Sequence, residues 1–263
     1  MEVPKESTRS ITATVHTSKT FSGSNSEGDE SRVDGLQYAK DKYAEYFEDS
    51  SVADNISSFP TFARSDLELG KVLGKGGFGT VYEIRGINYD NKLTSDEGKF
   101  IAKHCLREDS GESRYAIKVL SEEHLIDEDN FTQGSLDMAI ETRILSDTEH
   151  PNIIKARALA VVDPFNEEYF ILMDRLYDTL GSRIKKWKKG VKRIRGPLNA
   201  TLFDKRGKKK KELWHARIVA AFDLSDALGY LHRKKLVYRD LKPENIGFDI
   251  VSQLLRICHL PFL

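Results

Sequence analysis

The chain has 263 residues, enough for one large domain or two small ones and for a sizeable buried core. Hydrophobic residues make up 39% and charged residues 31%, which excludes disorder throughout, and Lys+Arg 41 against Asp+Glu 41 excludes a globally basic nucleic-acid binder while leaving room for a local basic patch. Cys105 and Cys258 are too few for a disulfide framework or a four-cysteine zinc site, MEVPKESTRS lacks the apolar core of a signal peptide, and no apolar run approaches the roughly 18 residues of a membrane helix. These features imply a soluble intracellular protein with reduced thiols, cytoplasmic or nuclear, and no membrane partner.

Residues 1–32 are rich in Ser, Thr, Glu and Gly and are expected to be disordered, because too little apolar surface is present to offset the entropy of ordering. Gly35 to Asp49, with Tyr38, Tyr43, Tyr46 and Phe47, fits either a short docking helix or a frayed linker. The whole of 1–65 is expected to lie outside the main domain. From Asp66 the texture changes. Leu67, Leu69, Val72 and Leu73 read as a strand, glycines follow, and Val81, Tyr82 and Ile84 read as a second strand, a hairpin pattern. Asn88 to Glu112 is polar and reads as an insertion. Tyr115 to Leu120 is a compact strand, and Leu136 to Asp147 carries Met138, Ile140, Ile144 and Leu145 at helical spacing. His150-Pro151-Asn152 stops that helix. Strands are expected around 156–162 and 169–173. Gly181 to Glu212 reads as a short helix running into a basic loop. Trp214 to Leu231 reads as an amphipathic helix with Ile218, Ala221, Phe222, Ser225, Leu228 and Leu231 as its stripe. Several strands with one helix among them predict an α+β unit.

The first chemical motif is Leu73-Gly74-Lys75-Gly76-Gly77-Phe78-Gly79-Thr80-Val81, in which Gly74, Gly76 and Gly79 are spaced G-x-G-x-x-G. Glycines let backbone N–H groups approach phosphate oxygens. A dinucleotide fold uses the same spacing, but there the loop opens a helix. Here the β-prone Thr80-Val81-Tyr82 follows, so the loop joins two strands. A plain glycine hairpin is the alternative. Further along stand Ala116-Ile117-Lys118, Glu141 within a helix, and Tyr238-Arg239-Asp240-Leu241-Lys242-Pro243-Glu244-Asn245 after the amphipathic helix.

With these motifs in this order the chain resembles the eukaryotic protein kinase family, serine/threonine type. The resemblance implies a kinase-like α+β fold, with an antiparallel-sheet N-lobe (about 66–173) holding one packed helix, a hinge (174–176) and an incomplete helical C-lobe (177–263), with insertions near 88–112 and 188–212. It implies ATP and Mg²⁺ as cofactors and a protein serine or threonine as acceptor. Gly74, Lys75, Gly76, Gly77, Phe78, Gly79, Val81 and Ala116 would surround the nucleotide. Lys118 would hold its phosphates, with Glu141 as the partner that fixes the ammonium. Lys103, in Ile101-Ala102-Lys103, competes for the lysine role but lacks the Val-Leu that follows Lys118. Met173 would border the adenine, and backbone groups of Asp174 and Leu176 would bond its edge. Asp240 would orient the attacking hydroxyl, Lys242 would steady the transferring phosphoryl group, and Asn245 would hold Mg²⁺. Lys242, two residues after the aspartate, is the serine/threonine pattern. Tyr238 stands where the family more often has histidine.

The family's next motif is a strand followed by Asp-Phe-Gly, whose aspartate binds metal. Ile246 to Asp249 fits the start of such a strand, but no Asp-Phe-Gly follows, and the resemblance is read as covering Asp66 to Asp249. Three readings stand: a serine/threonine kinase fragment, arising from a truncated gene model, altered frame or splice form; a non-catalytic, pseudokinase-like module that binds nucleotide or a partner; and a binding role for the basic 183–211 segment toward an acidic partner or nucleic acid.

Overall fold

A computed structural model describes residues 26–77, 79–88, 95–194, 204, 207–249 and 254–258, with side chains from Asp34 onward. Phe78, residues 1–25, part of each expected insertion and residues 259–263 lie outside the described residues.

The described residues open with α1 (Ser26–Glu48) and a two-residue strand β1 (Thr61–Phe62). The hairpin β2 (Leu67–Lys75) and β3 (Gly79–Ile87) follows, then α2 (Asp96–Lys103), β4 (Tyr115–Leu120), the short α3 (Glu122–Ile126), α4 (Glu128–Ser146), β5 (Ala156–Ala160) and β6 (Phe170–Asp174). One six-stranded sheet runs in the order β1-β5-β6-β4-β3-β2, antiparallel throughout except for the β1–β5 pair. This is the mostly antiparallel sheet with a packed helix that the strand pattern predicts. Strand β6 is central, and every one of its residues is buried, which explains the unbroken apolar run Phe170-Ile171-Leu172-Met173. Strand β2 is the edge, and charged Glu68 and Lys71 on it discourage pairing with another chain.

Helix α4 starts at Asp127, whose side chain accepts a hydrogen bond from the Asn130 amide at 2.8 Å. Its buried stripe includes Phe131, Met138, Ile140, Ile144 and Leu145. A second sheet, β7 (Leu176–Thr179), β8 (Ile246–Asp249) and β9 (Leu255–Ile257), lies beyond the hinge, with α5 (Leu180–Ile194) and α6 (Lys208–Arg233).

Five features differ from the sequence reading. The fold begins before Asp66: Ala39, Phe47, Val52 and Phe62 all belong to the main core, and Phe62 pairs with β5. Leu36, Ala39, Tyr43 and Phe47 form one helical stripe, which the polar average of the segment conceals. The 88–112 stretch contains α2, capped by the Ser95 hydroxyl accepting from Gly98 N at 3.0 Å, with Ile101 and Ala102 buried. The basic 188–212 stretch is helical at both ends, since α5 reaches Ile194 and α6 starts at Lys208.

The expected stripe of the long helix is also displaced. The buried residues of α6 are Ala220, Asp223, Ala227 and Leu231, whereas Ile218 and Phe222 are 60% and 70% exposed. The packing partner is β9, and small alanines admit it closely. Size misled the reading: the bulkiest apolar side chains are not the ones against the core.

Finally, residues Leu254 to Cys258 belong to the second sheet and its contacts. Strand β9 pairs with β8, Ile257 opposite Ile246. Asn152 of His150-Pro151-Asn152 clasps it from the other side, its side-chain amide donating to Leu255 O at 2.8 Å and its carbonyl accepting from Ile257 N at 3.0 Å. The fold therefore continues past Asp249 to at least Cys258.

Candidate nucleotide and catalytic site

Strand register gathers the expected nucleotide-facing residues. Val81 lies opposite Lys118, which lies opposite Ile171; Glu83 lies opposite Ala116, which lies opposite Met173. Directly paired residues share a face, and so do residues two apart on one strand. Val81, Ala116, Lys118 and Met173 are thus on one face of the sheet. Lys103, the competitor, ends α2 with its side chain exposed.

The glycine loop joins β2 to β3 and is closed by Gly76 N donating to Gly79 O at 2.8 Å. A loop between strands is not the strand-to-helix turn of a dinucleotide fold. Gly79 is required by close approach, since a Cβ there would stand 3.0 Å from Val119 O and 3.2 Å from Lys118 Cε. Added carbons at Gly74 and Gly77 would meet no protein atom within 4 Å, so the protein's own packing does not account for those two glycines.

Lys118 Nζ donates to Glu141 Oε2, joining β4 to α4. The glutamate side chain is 3% exposed and the lysine 12%, so the pair is shielded from water on the protein side.

The hinge is tighter than 174–176. Strand β6 ends at Asp174 and β7 begins at Leu176, leaving Arg175 between them. The Asp174 amide donates to Lys155 O at 3.1 Å. Its carboxylate receives Arg157 through two hydrogen bonds (2.7 and 3.0 Å) and Arg256 through one (2.6 Å). Asp174 thereby ties β5, β6 and β9 together. Arg175 is buried, bonds Glu83 and lies 4.3 Å over the Tyr177 ring. None of these arginine contacts is foreseeable from spacing, because the partners lie up to 92 residues apart.

Past the hinge, Leu176 faces Asp249, and Gly247 lets the strands meet: a Cβ there would be 2.6 Å from Leu176 Cδ1. The loop from Tyr238 to Asn245 precedes β8. Asp240, Lys242 and Asn245 converge. Lys242 Nζ lies 2.6 Å from Asp240 Oδ2, and Asn245 Nδ2 donates to Asp240 Oδ2 at 2.6 Å and to Asp240 O at 3.1 Å. Asp240 and Lys242 keep 38% and 50% side-chain exposure, open to a solvent-borne reactant. Cys258 N donates to Asn245 O at 3.0 Å, pinning the loop to the end of β9.

The two halves of the site share an electrostatic neighbourhood. Burial pushes the Cys258 thiol up to about 12, the Glu141 charge adds to the rise, and Lys118 opposes it. Burial likewise raises the Tyr238 hydroxyl, helped by Cys258, Asp240 and Glu141. Cys258 thus feels the charges of Lys118 and Glu141, and Tyr238 those of Glu141 and Asp240. Sequence reading gave Cys258 no place here, since its proximity depends on β9.

Asp240 and Asn245 carry oxygen donors of the hard type that a divalent cation accepts. Among the described residues, however, no group of three or more His, Cys, Asp or Glu side chains is arranged for a metal. After β9 the chain reads Cys258-His259-Leu260-Pro261, without the family's acidic residue. Among the described residues Asp240 and Asn245 are therefore the candidate ligands, and these two alone do not make a complete metal site.

The protein kinase domain family matches residues 96–260, and the chain belongs to that family. It is 28% identical over 203 residues to the Aurora kinase of Saccharomyces cerevisiae, covering 76% of this chain and 41% of the relative. It is 31% identical over 194 residues to Aurora/IPL1-related protein kinase 2 of Caenorhabditis briggsae, covering 72% and 46%. It is 30% identical over 184 residues to serine/threonine-protein kinase AtPK1/AtPK6 of Arabidopsis thaliana, covering 70% and 29%. The chain thus spans less than half the length of these curated relatives. Members of the protein kinase domain family use ATP with a divalent metal.

Proposed function

We propose that this chain carries the ATP-binding lobe and catalytic loop of a serine/threonine protein kinase, which transfers the ATP γ-phosphoryl group to a protein hydroxyl. The observation that carries the reading is the pairing of two built sites, the buried Lys118–Glu141 bridge and the Asp240–Lys242–Asn245 cluster. Lys118 holds the phosphates, and the sheet face of Val81, Ala116 and Met173 receives the adenine. Asp240 orients the hydroxyl and accepts its proton, while Lys242 offsets charge on the moving phosphoryl group. The serine/threonine assignment is supported by Lys242 and by the similarity to serine/threonine-protein kinase AtPK1/AtPK6. Mg²⁺ is the proposed metal, with Asn245 among its ligands.

The test incubates the purified chain with labelled ATP, Mg²⁺ and a mixed serine/threonine protein substrate, beside Asp240→Asn. Phosphate transfer that the substitution abolishes establishes the reading. ATP binding without transfer favours a nucleotide-binding module, a second reading motivated by His259-Leu260-Pro261 after β9. Absence of ATP binding overturns both.

The basic stretch is a separate proposal. Lys185, Lys188, Lys189 and Lys192 on α5 and Lys208 to Lys211 on α6 are exposed, a surface suited to an acidic partner or nucleic acid. Unchanged association after all four of Lys208–Lys211 become alanine would reject a role for that run. No helix among the described residues is long and apolar enough to cross a membrane. An intracellular location, cytoplasmic or nuclear, is proposed with the kinase reading.

A further inference from the structure

Helix α4 is held from two sides. Glu141 meets Lys118 on the sheet, and Arg143, two residues later, points away from it by about 200° around the helix, at 3.6 residues per turn. On that outer side lie α1 and the segment after it, which precede the family-matched residues 96–260.

Arg143 uses its whole guanidinium there. It stacks over the Phe47 ring at 4.9 Å. Nη1 donates to Asp54 Oδ2 at 2.8 Å, Nε to Ala53 O at 3.2 Å and Nη2 to Val52 O at 3.2 Å. A planar, five-donor group can make these bonds together, and a lysine cannot. Asn55 adds bonds from its amide and side chain to Ser146, each at 3.4 Å. The same segment reaches the other lobe: Ser51 Oγ donates to Lys234 O at 3.4 Å, and Lys234 Nζ returns to Asp147 Oδ2 at 2.6 Å. Upstream, Leu36, Ala39 and Tyr43 of α1 pack into the core.

We infer that α1 and residues 47–55 form a brace for α4, with Arg143 as its positioning residue, and that this brace sets the register in which Glu141 fixes Lys118. A rotation of α4 that freed Glu141 would also break the Arg143 contacts, so the outer contacts bias the helix toward the paired state. This inference rests on the proposed ATP-binding role of Lys118, and the test separates the two.

ATP affinity is measured by equilibrium dialysis for the full chain and for Arg143→Ala, Phe47→Ala, Glu141→Gln and the Arg143→Ala/Glu141→Gln double variant, with hydrogen exchange followed along α4. The brace predicts about a tenfold loss of affinity for Arg143→Ala and a smaller loss for Phe47→Ala. It predicts no added loss when Arg143→Ala is placed on Glu141→Gln, because the pair it serves is already broken. Unchanged affinity in Arg143→Ala, or an equal loss in both backgrounds, overturns it. If the unmodified chain binds no ATP, the kinase reading fails and exchange decides the brace. Faster exchange in Arg143→Ala confined to α4 supports it; exchange that is unchanged, or faster throughout, rejects it.

Discussion

Lys118 and Glu141 are 23 residues apart, on a strand and a helix, and meet in a buried ion pair. Truncating one member of such a pair leaves the other charged and poorly solvated. Glu141→Ala should therefore destabilise the fold by about 2–3 kcal/mol, less than the figure for a fully enclosed pair because Lys118 reaches some solvent. Glu141→Gln keeps an acceptor oxygen and should cost less. Urea unfolding of the two variants checks the order; equal costs would show that the retained acceptor oxygen contributes nothing to stability.

Asp240 makes no packing contribution comparable to Glu141, since more than a third of its side chain is exposed. Asp240→Asn should preserve the fold and keep ATP affinity within about twofold, while any phosphoryl transfer falls by roughly 10²–10⁴. Dialysis and a transfer assay on one preparation measure both. A parallel fall in ATP affinity would place Asp240 in nucleotide binding instead.

The fold and site were legible to different depths. Motifs carried by contiguous residues, such as Gly74 to Val81 and Tyr238 to Asn245, announce themselves because the chemistry needs neighbours in the chain. The Lys118–Glu141 pair was legible only through a resemblance, since nothing local says that the two meet. The Asp174 contacts with Arg157 and Arg256 were not legible, because each arginine looks like a solvated charge until β5 and β9 are placed beside β6. Helix α6 misled for a related reason: which face is buried depends on β9, and an amphipathic pattern with bulky residues on two faces does not choose between them.

Gly247 is a packing requirement rather than a flexible point. A Cβ there would press on the Leu176 side chain at 2.6 and 2.8 Å, and the clash involves Cδ1 and Cβ. The Cβ contact cannot be relieved by a rotamer change, so Gly247→Ala should cost roughly 1–3 kcal/mol, the range for overpacked cores. Leu176→Ala removes the Cδ1 and Cγ contacts and keeps the Cβ one, so the double variant should recover part of the loss. Coupling between the two substitutions in thermal unfolding is the measurement, and strict additivity would show that β7 and β8 separate freely.

The alkaline limb of stability gives a prediction with a definite sign. The Cys258 thiol has an ordinary value near 9 and is pushed up to about 12 in the fold by burial and the Glu141 charge. Between those values the unfolded chain has lost this proton and the folded chain retains it. The unfolded state binds fewer protons, so stability falls as pH rises, by about 1.4 kcal/mol per pH unit for one group. The contribution is intact below pH 9 and is lost progressively toward pH 12. Tyr169 and Tyr238 are raised by burial as well and steepen the fall above pH 10, their ordinary value. Cys258→Ala removes one proton from this balance. Its stability should decline less steeply from pH 9 upward by about that slope, although the variant starts lower because a partly buried side chain has been shortened. Denaturant unfolding at pH 8, 9 and 10 compares the slopes, and parallel profiles for the two proteins would show that Cys258 titrates in the fold as it does in the unfolded chain.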